Sequence, residues 1–286
     1  MWTWIQAMDV MKDCWGDIYF ELDEVKTWRI GQRKISVQRK KTEWLIWNEK
    51  TEEENFEALV LENSVSNDIP INVLPQRYLL KSTQPYLTAK PLLADRSIIV
   101  RPNSILNILP GETIDLYVSS PLWMAFYNTA LCNTTFYNTA SYNTKETLPI
   151  SEIPFWLPSD SWFGPNTMVG ELCYSKYTDA KVTLDNIQKR SHRAITRISI
   201  FNEHDESLAI ERLSLPTPLL DLYIDTNNQF WTDQVHLIHH LDSERPSFDI
   251  KSLASESAAK SIKLISVARK IANENTFMRS IRSLVA

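Results

Sequence analysis

Apolar and polar side chains alternate along most of the 286-residue chain, and this period of two is typical of half-buried β-strands. The clearest example spans residues 112–119. Its apolar residues Ile114, Leu116 and Val118 point to one side, and residues 219–225 repeat the pattern. Turn signals separate such stretches at short intervals. This spacing favours antiparallel sandwiches or barrels over alternating strands and helices.

The length of the chain and its 43% apolar content are sufficient for two domains with separate cores. A linker-like segment punctuated by Pro149, Pro154 and Pro158 lies near the middle of the chain. We therefore predict a mainly β fold with two antiparallel β-sandwich-like domains, residues 1–150 and 151–250. An amphipathic helical tail over residues 251–286 is predicted to follow them.

The predicted tail differs from the rest of the chain in composition and charge. Residues 251–286 carry a net charge of +5, whereas the preceding body carries −10. Apolar residues recur there at steps of three and four, as in Ala258, Ile262 and Ile265, which predicts a helix with one apolar stripe. The basic residues that we take as a candidate interaction surface are Lys260, Lys263, Arg269, Lys270, Arg279 and Arg282.

An apolar stripe of this kind must be covered by something. The body of the same chain is the first candidate, a second copy is the next, and a membrane surface or another protein follows. The stripe is rich in alanine and weakly hydrophobic, which favours docking on protein.

Glycine is scarce, with five residues in the whole chain, and their positions allow neither G-x-G-x-x-G nor a P-loop. The motifs G-x-S-x-G, H-E-x-x-H and C-x-x-C are also missing from the sequence. We therefore predict no catalytic residue, no metal site and no cofactor. Asn and Asp must replace glycine at left-handed turn positions, as in residues 225–228.

Two of the glycines bracket a short connection between aromatic-rich segments. Gly164, Pro165 and Gly170 are predicted to form a structural loop that needs special backbone geometry. A ligand-binding loop at the same place is the alternative.

The histidine cluster of the sequence lies in residues 234–241. On a helix, His236, His239 and His240 would share a face and could approach one metal ion. The alternating apolar residues between them favour a strand instead. His236 and His240 would then stand about 13 Å apart on one side, at ~3.3 Å per residue. We favour histidines that face solvent near a sheet edge.

Charge and cysteine content restrict partners and location. The net charge of −5 disfavours a dedicated nucleic-acid-binding protein, and a local basic run at residues 26–41 is split between two strand faces. The three cysteines are odd in number and widely spaced, which indicates a reducing compartment. With no signal peptide and no apolar run of about 20 residues, a cytoplasmic protein is expected.

Two segments carry a family resemblance. Residues 109–123 combine a proline-glycine turn with a strand and an aromatic-flanked proline, and residues 162–174 contain the glycine loop. Together they resemble an uncharacterised prokaryotic family, domain of unknown function four-three-two, over roughly residues 17–241. An Asn-Thr tract around residues 126–144 and the basic tail depart from its pattern. The resemblance implies a soluble, mainly β protein with no assigned activity and a partner at the membrane periphery.

The function most consistent with these features is a cytoplasmic, non-enzymatic interaction or regulatory protein that binds a protein partner or associates with itself. The alternative is a sandwich-based carbohydrate-binding protein or hydrolase that uses exposed aromatic side chains as stacking platforms.

Overall fold

The structure is a computed structural model that describes residues 15–30, 33–51, 64–65, 69–128, 149–164, 170–175, 178–190, 192–241, 247–255 and 262–271. The described residues form strands joined by turns and short 3-10 segments, and none of them lies in an α-helix. The prediction of a mainly β fold is therefore confirmed. The Asn-Thr tract beyond Asn128 lies outside the described residues.

Contacts divide the chain into two units. Unit 1 comprises residues 1–92 and 123–157, and unit 2 comprises residues 93–122 and 158–286. The domain boundaries that we placed at residues 150 and 250 stay predictions.

Unit 1 contains a four-stranded and a five-stranded sheet, both antiparallel. The strands of unit 1 are β1 (Gly16–Tyr19), β2 (Val25–Ile30), β3 (Arg33–Arg39), β4 (Glu43–Lys50), β5 (Ser64–Val65), β6 (Gln76–Leu79), β7 (Tyr86–Leu92), β11 (Trp123–Asn128) and β12 (Ser151–Pro154). The four-stranded sheet has the order β1-β7-β11-β12, and the five-stranded sheet has the order β5-β2-β3-β4-β6.

Large aromatic side chains fill the interior of unit 1. Trp28 of the five-stranded sheet contacts Phe126 of the four-stranded sheet, with ring centroids 6.0 Å apart. Phe20 packs edge-on against Trp44 at 5.2 Å, and all four side chains are fully buried. Because each ring removes a large apolar area from water, this cluster is a main source of stability for unit 1.

Unit 2 is built around a long mixed sheet. Its strands are β8 (Ile98–Pro102), β9 (Leu106–Ile108), β10 (Thr113–Pro121), β13 (Asp160–Phe163), β14 (Glu171–Tyr174), β15 (Asp179–Lys181), β16 (Arg193–Asn202), β17 (Leu208–Ile210), β18 (Leu213–Leu215), β19 (Leu222–Asp225), β20 (Phe230–Thr232), β21 (Gln234–His239), β22 (Ser247–Lys251) and β23 (Ile262–Ser266). Strands β9 and β17 form a separate pair, and the other twelve form one sheet.

The centre of this sheet is the pair β10 and β16, which run antiparallel in register over nine residues. On its other side β16 pairs in parallel with β20 and then with β21. The prediction of purely antiparallel pairing is therefore wrong for unit 2. About 30 residues separate β16 from β21 along the chain, and that length permits the crossover that a parallel pair requires.

The turn at residues 225–228 contains no glycine, and asparagine occupies its left-handed position. Asn228 has φ of +59°, and Asp23 in another turn has φ of +66°. Asp225 Oδ1 accepts the backbone N–H groups of Asn227 and Gln229 at 2.8 and 2.9 Å. The prediction that Asn and Asp take left-handed turn positions is confirmed at these two residues.

The predicted C-terminal helix is wrong for the described part of the tail. Ile262–Ser266 form β23, which pairs antiparallel with β19, while residues 256–261 and 272–286 lie outside the described residues. Ile262 and Ile265 are β-branched and favour extended backbone. The open edge of β19 offers backbone hydrogen-bond partners to this segment. The stabilisation from these hydrogen bonds exceeds the intrinsic helix preference of the neighbouring alanines.

Two aspartates hold this C-terminal segment on the body of unit 2. Asp221 Oδ1 accepts the N–H of Ala268 at 2.7 Å. The buried Asp233 accepts the N–H groups of Asp221 and Leu253 at 2.9 and 3.1 Å. Burial raises the pKa of Asp233, and these two N–H donors oppose that shift. Of the coverings considered for the tail, the body of the same chain is thus the one that the described residues contact.

Replacing Asp233 with alanine should lower the free energy of unfolding by about 3 kcal/mol, because two backbone donors lose a charged acceptor. Urea denaturation followed by tryptophan fluorescence measures this change. Asp205→Ala, at an exposed aspartate, should change stability by less than about 0.5 kcal/mol. Equal effects of the two substitutions would contradict the role given to Asp233.

Candidate functional site

The histidine cluster lies at one end of three neighbouring strands of unit 2. Strand β21 runs between β16 and β22, and Asn202 of β16 is in register with His239. The prediction that these histidines belong to a strand is confirmed for His236 and His239, and His240 follows directly. The three side chains therefore do not share one face, as they would on a helix.

His236 belongs to a row of polar residues across the sheet. Asp115, Ser199, His236 and Asp249 are successive register partners on four adjacent strands. Arg197 donates to Asp115 Oδ2 at 2.8 Å and lowers the pKa of that carboxyl. Partial burial lowers the pKa of His236, and the nearby Lys251 adds to the effect.

A buried asparagine orders the loop beyond β16. Asn202 Nδ2 donates to the carbonyl oxygens of Ile108 and Glu206 at 2.9 and 2.8 Å, which fixes the orientation of its amide. Its Oδ1 therefore accepts from His239 Nδ1 at 3.0 Å. The rings of His204 and His239 are stacked with centroids 5.0 Å apart. Burial lowers the pKa of His239, and the nearby imidazoles of His204 and His240 add to the effect.

Next to this loop, three side chains form a continuous hydrogen-bonded line. His240 Nδ1 lies 2.6 Å from Glu203 Oε2, and His240 Nε2 lies 2.7 Å from Ser247 Oγ. The backbone N–H of Glu203 donates to the carbonyl of His239 at 2.9 Å. We call Glu203, His240 and Ser247 the imidazole relay. Carboxylate, imidazole and hydroxyl in this order can move a proton away from the hydroxyl.

Sequence reasoning identified His240 but neither of its two partners. Glu203 lies 37 residues and Ser247 seven residues from His240 along the chain. Such a line is recognised by geometry and not by a fixed spacing, and the parallel crossover that brings β16 beside β21 leaves no local signal. Within the described ranges, no group of three His, Cys, Asp or Glu residues is arranged to hold a metal ion.

The candidate basic surface of the tail is only partly described. Lys263 and Lys270 are exposed, whereas Arg269 is half-buried and its Nε donates to the carbonyl of Leu93 at 2.8 Å. Lys260, Arg279 and Arg282 lie outside the described residues. The designation of these residues as an interaction surface stays a prediction.

The glycine loop has a packing constraint at its second end. A Cβ on Gly170 would lie 2.5 Å from Trp162 Nε1 and 2.6 Å from the carbonyl oxygen of Phe163. Gly164 has φ of +124°, a conformation that side chains rarely adopt. Pro165 lies outside the described residues. These features support a structural role for Gly164 and Gly170, which remains a prediction.

Cys173 next to this loop is unsuited to nucleophilic chemistry. The thiol is fully buried in contact with the core residues Ile99 and Phe163. Burial raises its pKa to about 12, and the nearby Glu171 adds to the effect, so the reactive thiolate is scarce at neutral pH. Cys14 and Cys132 lie outside the described residues.

The model of a protein family described as Protein of unknown function (DUF432) matches residues 14–284. Neither a curated protein nor a solved structure matches the chain. In the part of the chain that the structure describes, no helix has the length and apolar character needed to cross a membrane.

Stability should fall in acid because of His192, which is buried. Burial, together with Arg193 and Arg190, lowers the pKa of His192 from 6.5 to about 3. Between these values the unfolded chain binds a proton that the folded chain rejects, so stability present above pH 6.5 is lost as the pH falls. At pH 5 the loss amounts to about 2 kcal/mol.

Urea denaturation of the wild type and of His192→Gln at pH 7 and pH 5 measures this contribution. The variant should lose less stability than the wild type between the two pH values, whatever its stability at pH 7. An identical loss in both proteins would show that His192 is not responsible.

Gly170→Ala should destabilise the protein by about 1–3 kcal/mol, because the added methyl group overlaps a backbone carbonyl that cannot rotate away. Gly111→Asn is the matched control. Gly111 has φ of +75° with open space around it, a conformation that asparagine tolerates. Thermal unfolding of both variants tests the difference, and equal melting temperatures would refute the close approach at Gly170.

Proposed function

The chain belongs to the DUF432 family of proteins of unknown function, and we propose that it is an interaction protein. It binds an acidic, extended segment of a protein partner by strand addition along β23. The observation that carries this proposal is the position of β23 at the end of the strand path of the large sheet.

A strand at the end of a sheet has backbone donors and acceptors on its outer edge that a further strand can use. Among the described residues, β19 is the strand that pairs with β23, and no strand occupies its other side. The chain that follows β23 is anchored, since Lys270 N donates to the carbonyl of Pro218 at 2.9 Å. The edge is thus held in place before a partner arrives, which reduces the entropic cost of binding.

The side chains of this edge segment define what it can bind. Leu264, Val267 and Ile271 are exposed apolar residues, with Ile271 90% accessible. Lys263 and Lys270, which are adjacent in sequence to Leu264 and Ile271, are also exposed. A second copy of the same strand would bring further lysines to the shared edge, where like charges repel. An acidic segment with apolar residues gains both charge complementarity and burial.

The interior of unit 1 supports a scaffold role for the aromatic residues. Its two sheets meet through Trp28 and Phe126, which supports a sandwich-like arrangement. The buried indole rings cannot serve as platforms for sugars; they belong to Trp28, Trp44, Trp47 and Trp156.

The free, buried thiol of Cys173 supports a reducing compartment such as the cytoplasm.

The charge of the edge can be reversed without touching the core. The double variant Lys263→Glu, Lys270→Glu should recover at least about tenfold less partner than the wild type, because both attractive charges become repulsive. Lys189→Glu, at another exposed lysine, is the control for a simple change of net charge and should leave recovery unchanged. Full-length tagged proteins are compared by affinity capture from the cells of origin.

A photo-crosslinking residue at position 264 then locates the contact. The crosslinked peptides should come from an acidic segment of a different protein. Crosslinks to a second copy of this chain, or equal recovery by the double variant and Lys189→Glu, would contradict the proposal.

A further inference from the structure

The imidazole relay at the end of β21 has no part in strand addition at β23. Its order of groups, carboxylate then imidazole then hydroxyl, is the order that activates serine nucleophiles. We propose that Ser247 is a nucleophile, with His240 as its general base and Glu203 as the residue that orients the imidazole, and that it accepts acyl groups from small activated esters. This inference does not rest on the interaction proposal.

The hydrogen bonds of the relay determine where its protons are. An ionised carboxylate only accepts hydrogen bonds, so Glu203 Oε2 must receive the proton of His240 Nδ1 across 2.6 Å. In the neutral imidazole the lone pair is then on Nε2. Ser247 Oγ, 2.7 Å away, therefore donates its proton to the nitrogen that would remove it. This is the tautomer that general-base catalysis requires.

The backbone holds each of the three groups separately. Glu203 follows β16 and is tied to β21 through its N–H bond to the carbonyl of His239. Ser247 begins β22 and is in register with Ile238 of β21. The preceding His239 is fixed by the buried Asn202. Because all three positions lie at the same end of adjacent strands, the relay does not depend on a chance encounter of long side chains.

The exposure of the relay sets the class of substrate. The side chains of His240 and Glu203 are 37% and 50% accessible, and Ser247 is half-buried, so the relay is in contact with solvent. Water at the site weakens the electrostatic stabilisation of a developing oxyanion. The leaving group must therefore be good in its own right, as in aryl esters and fluorophosphonates.

The steps balance without a further reactant except water. Ser247 Oγ bonds to the ester carbonyl carbon while its proton passes to His240 Nε2 and the carbonyl π electron pair moves onto the carbonyl oxygen. The carbonyl double bond then re-forms as the bond to the leaving oxygen breaks, and the departing aryloxide takes the proton from Nε2. Water, deprotonated by the same nitrogen, attacks the acyl-serine, which releases the carboxylic acid and restores the Ser247 hydroxyl when Nε2 returns the proton.

A tagged fluorophosphonate applied to the full-length folded protein tests the nucleophile directly. Ser247 attacks phosphorus, fluoride leaves and the tag stays on Oγ, where peptide mass spectrometry locates it. We expect labelling of Ser247 in the wild type, none at that position in Ser247→Ala, and a rate roughly 100-fold lower in His240→Gln. Glu203→Gln should label about tenfold more slowly. Ser207, an exposed serine of the same protein, is the internal control and should stay unlabelled.

Loss of labelling on denaturation in urea would confirm that the folded geometry activates the serine. Circular dichroism checks that the variants fold. If His240→Gln does not fold, Glu203→Gln, which changes an exposed side chain, tests the relay in its place. The proposal is overturned if Ser247 labels no faster than Ser207, or if a folded His240→Gln or Glu203→Gln variant labels at the wild-type rate.

Discussion

The antiparallel pairing of β10 with β16 is the interaction on which the rest of unit 2 depends. Nine register pairs join the two strands, so that nine of the ten residues of β16 are paired on one side. Its other side is shared, since Ala194 and Ile195 pair with β20 while Ile198 through Asn202 pair with β21. Through β20 and β19 the sheet extends to the edge strand β23, and through β21 it extends to β22 and the relay. One strand thus positions both surfaces to which we assign a function.

Strand content could be predicted from local alternation, but strand order could not. The alternation of Ile114, Leu116 and Val118 identified the strand that became β10, because each apolar side chain needs a buried face. No comparable local signal indicates that β16 is parallel to β21, since that pairing depends on the path of the intervening chain. The relay follows from the pairing, which explains why His240 was found in the sequence and why Glu203 and Ser247 were not.

The C-terminal segment shows how tertiary hydrogen bonds override a periodic pattern. Apolar residues at steps of three and four predicted a helix, and the same residues also fit a strand in the short window Ile262–Ser266. In the folded chain β19 offers a ladder of backbone partners, and Asp221 captures the N–H of Ala268 beyond the strand. Each of these contacts joins residues that are far apart in sequence, so a helix prediction based on neighbouring residues alone does not take them into account. Lys263, one of the basic residues of the tail, is exposed in this strand.

The nucleophilic reactivity of a side chain in this protein depends on its neighbours more than on its own residue type. Cys173 is intrinsically the better nucleophile, but burial raises its pKa to about 12 and Ser214 is its hydrogen-bonding neighbour, at 3.8 Å. Ser247 has an intrinsically inert hydroxyl, yet it stands 2.7 Å from an imidazole whose opposite nitrogen is held by a carboxylate. Reactivity requires a base, an orienting group and access at one point. Cys173 is denied access by the core, whereas the strand ends of β16, β21 and β22 bring all three conditions together at Ser247.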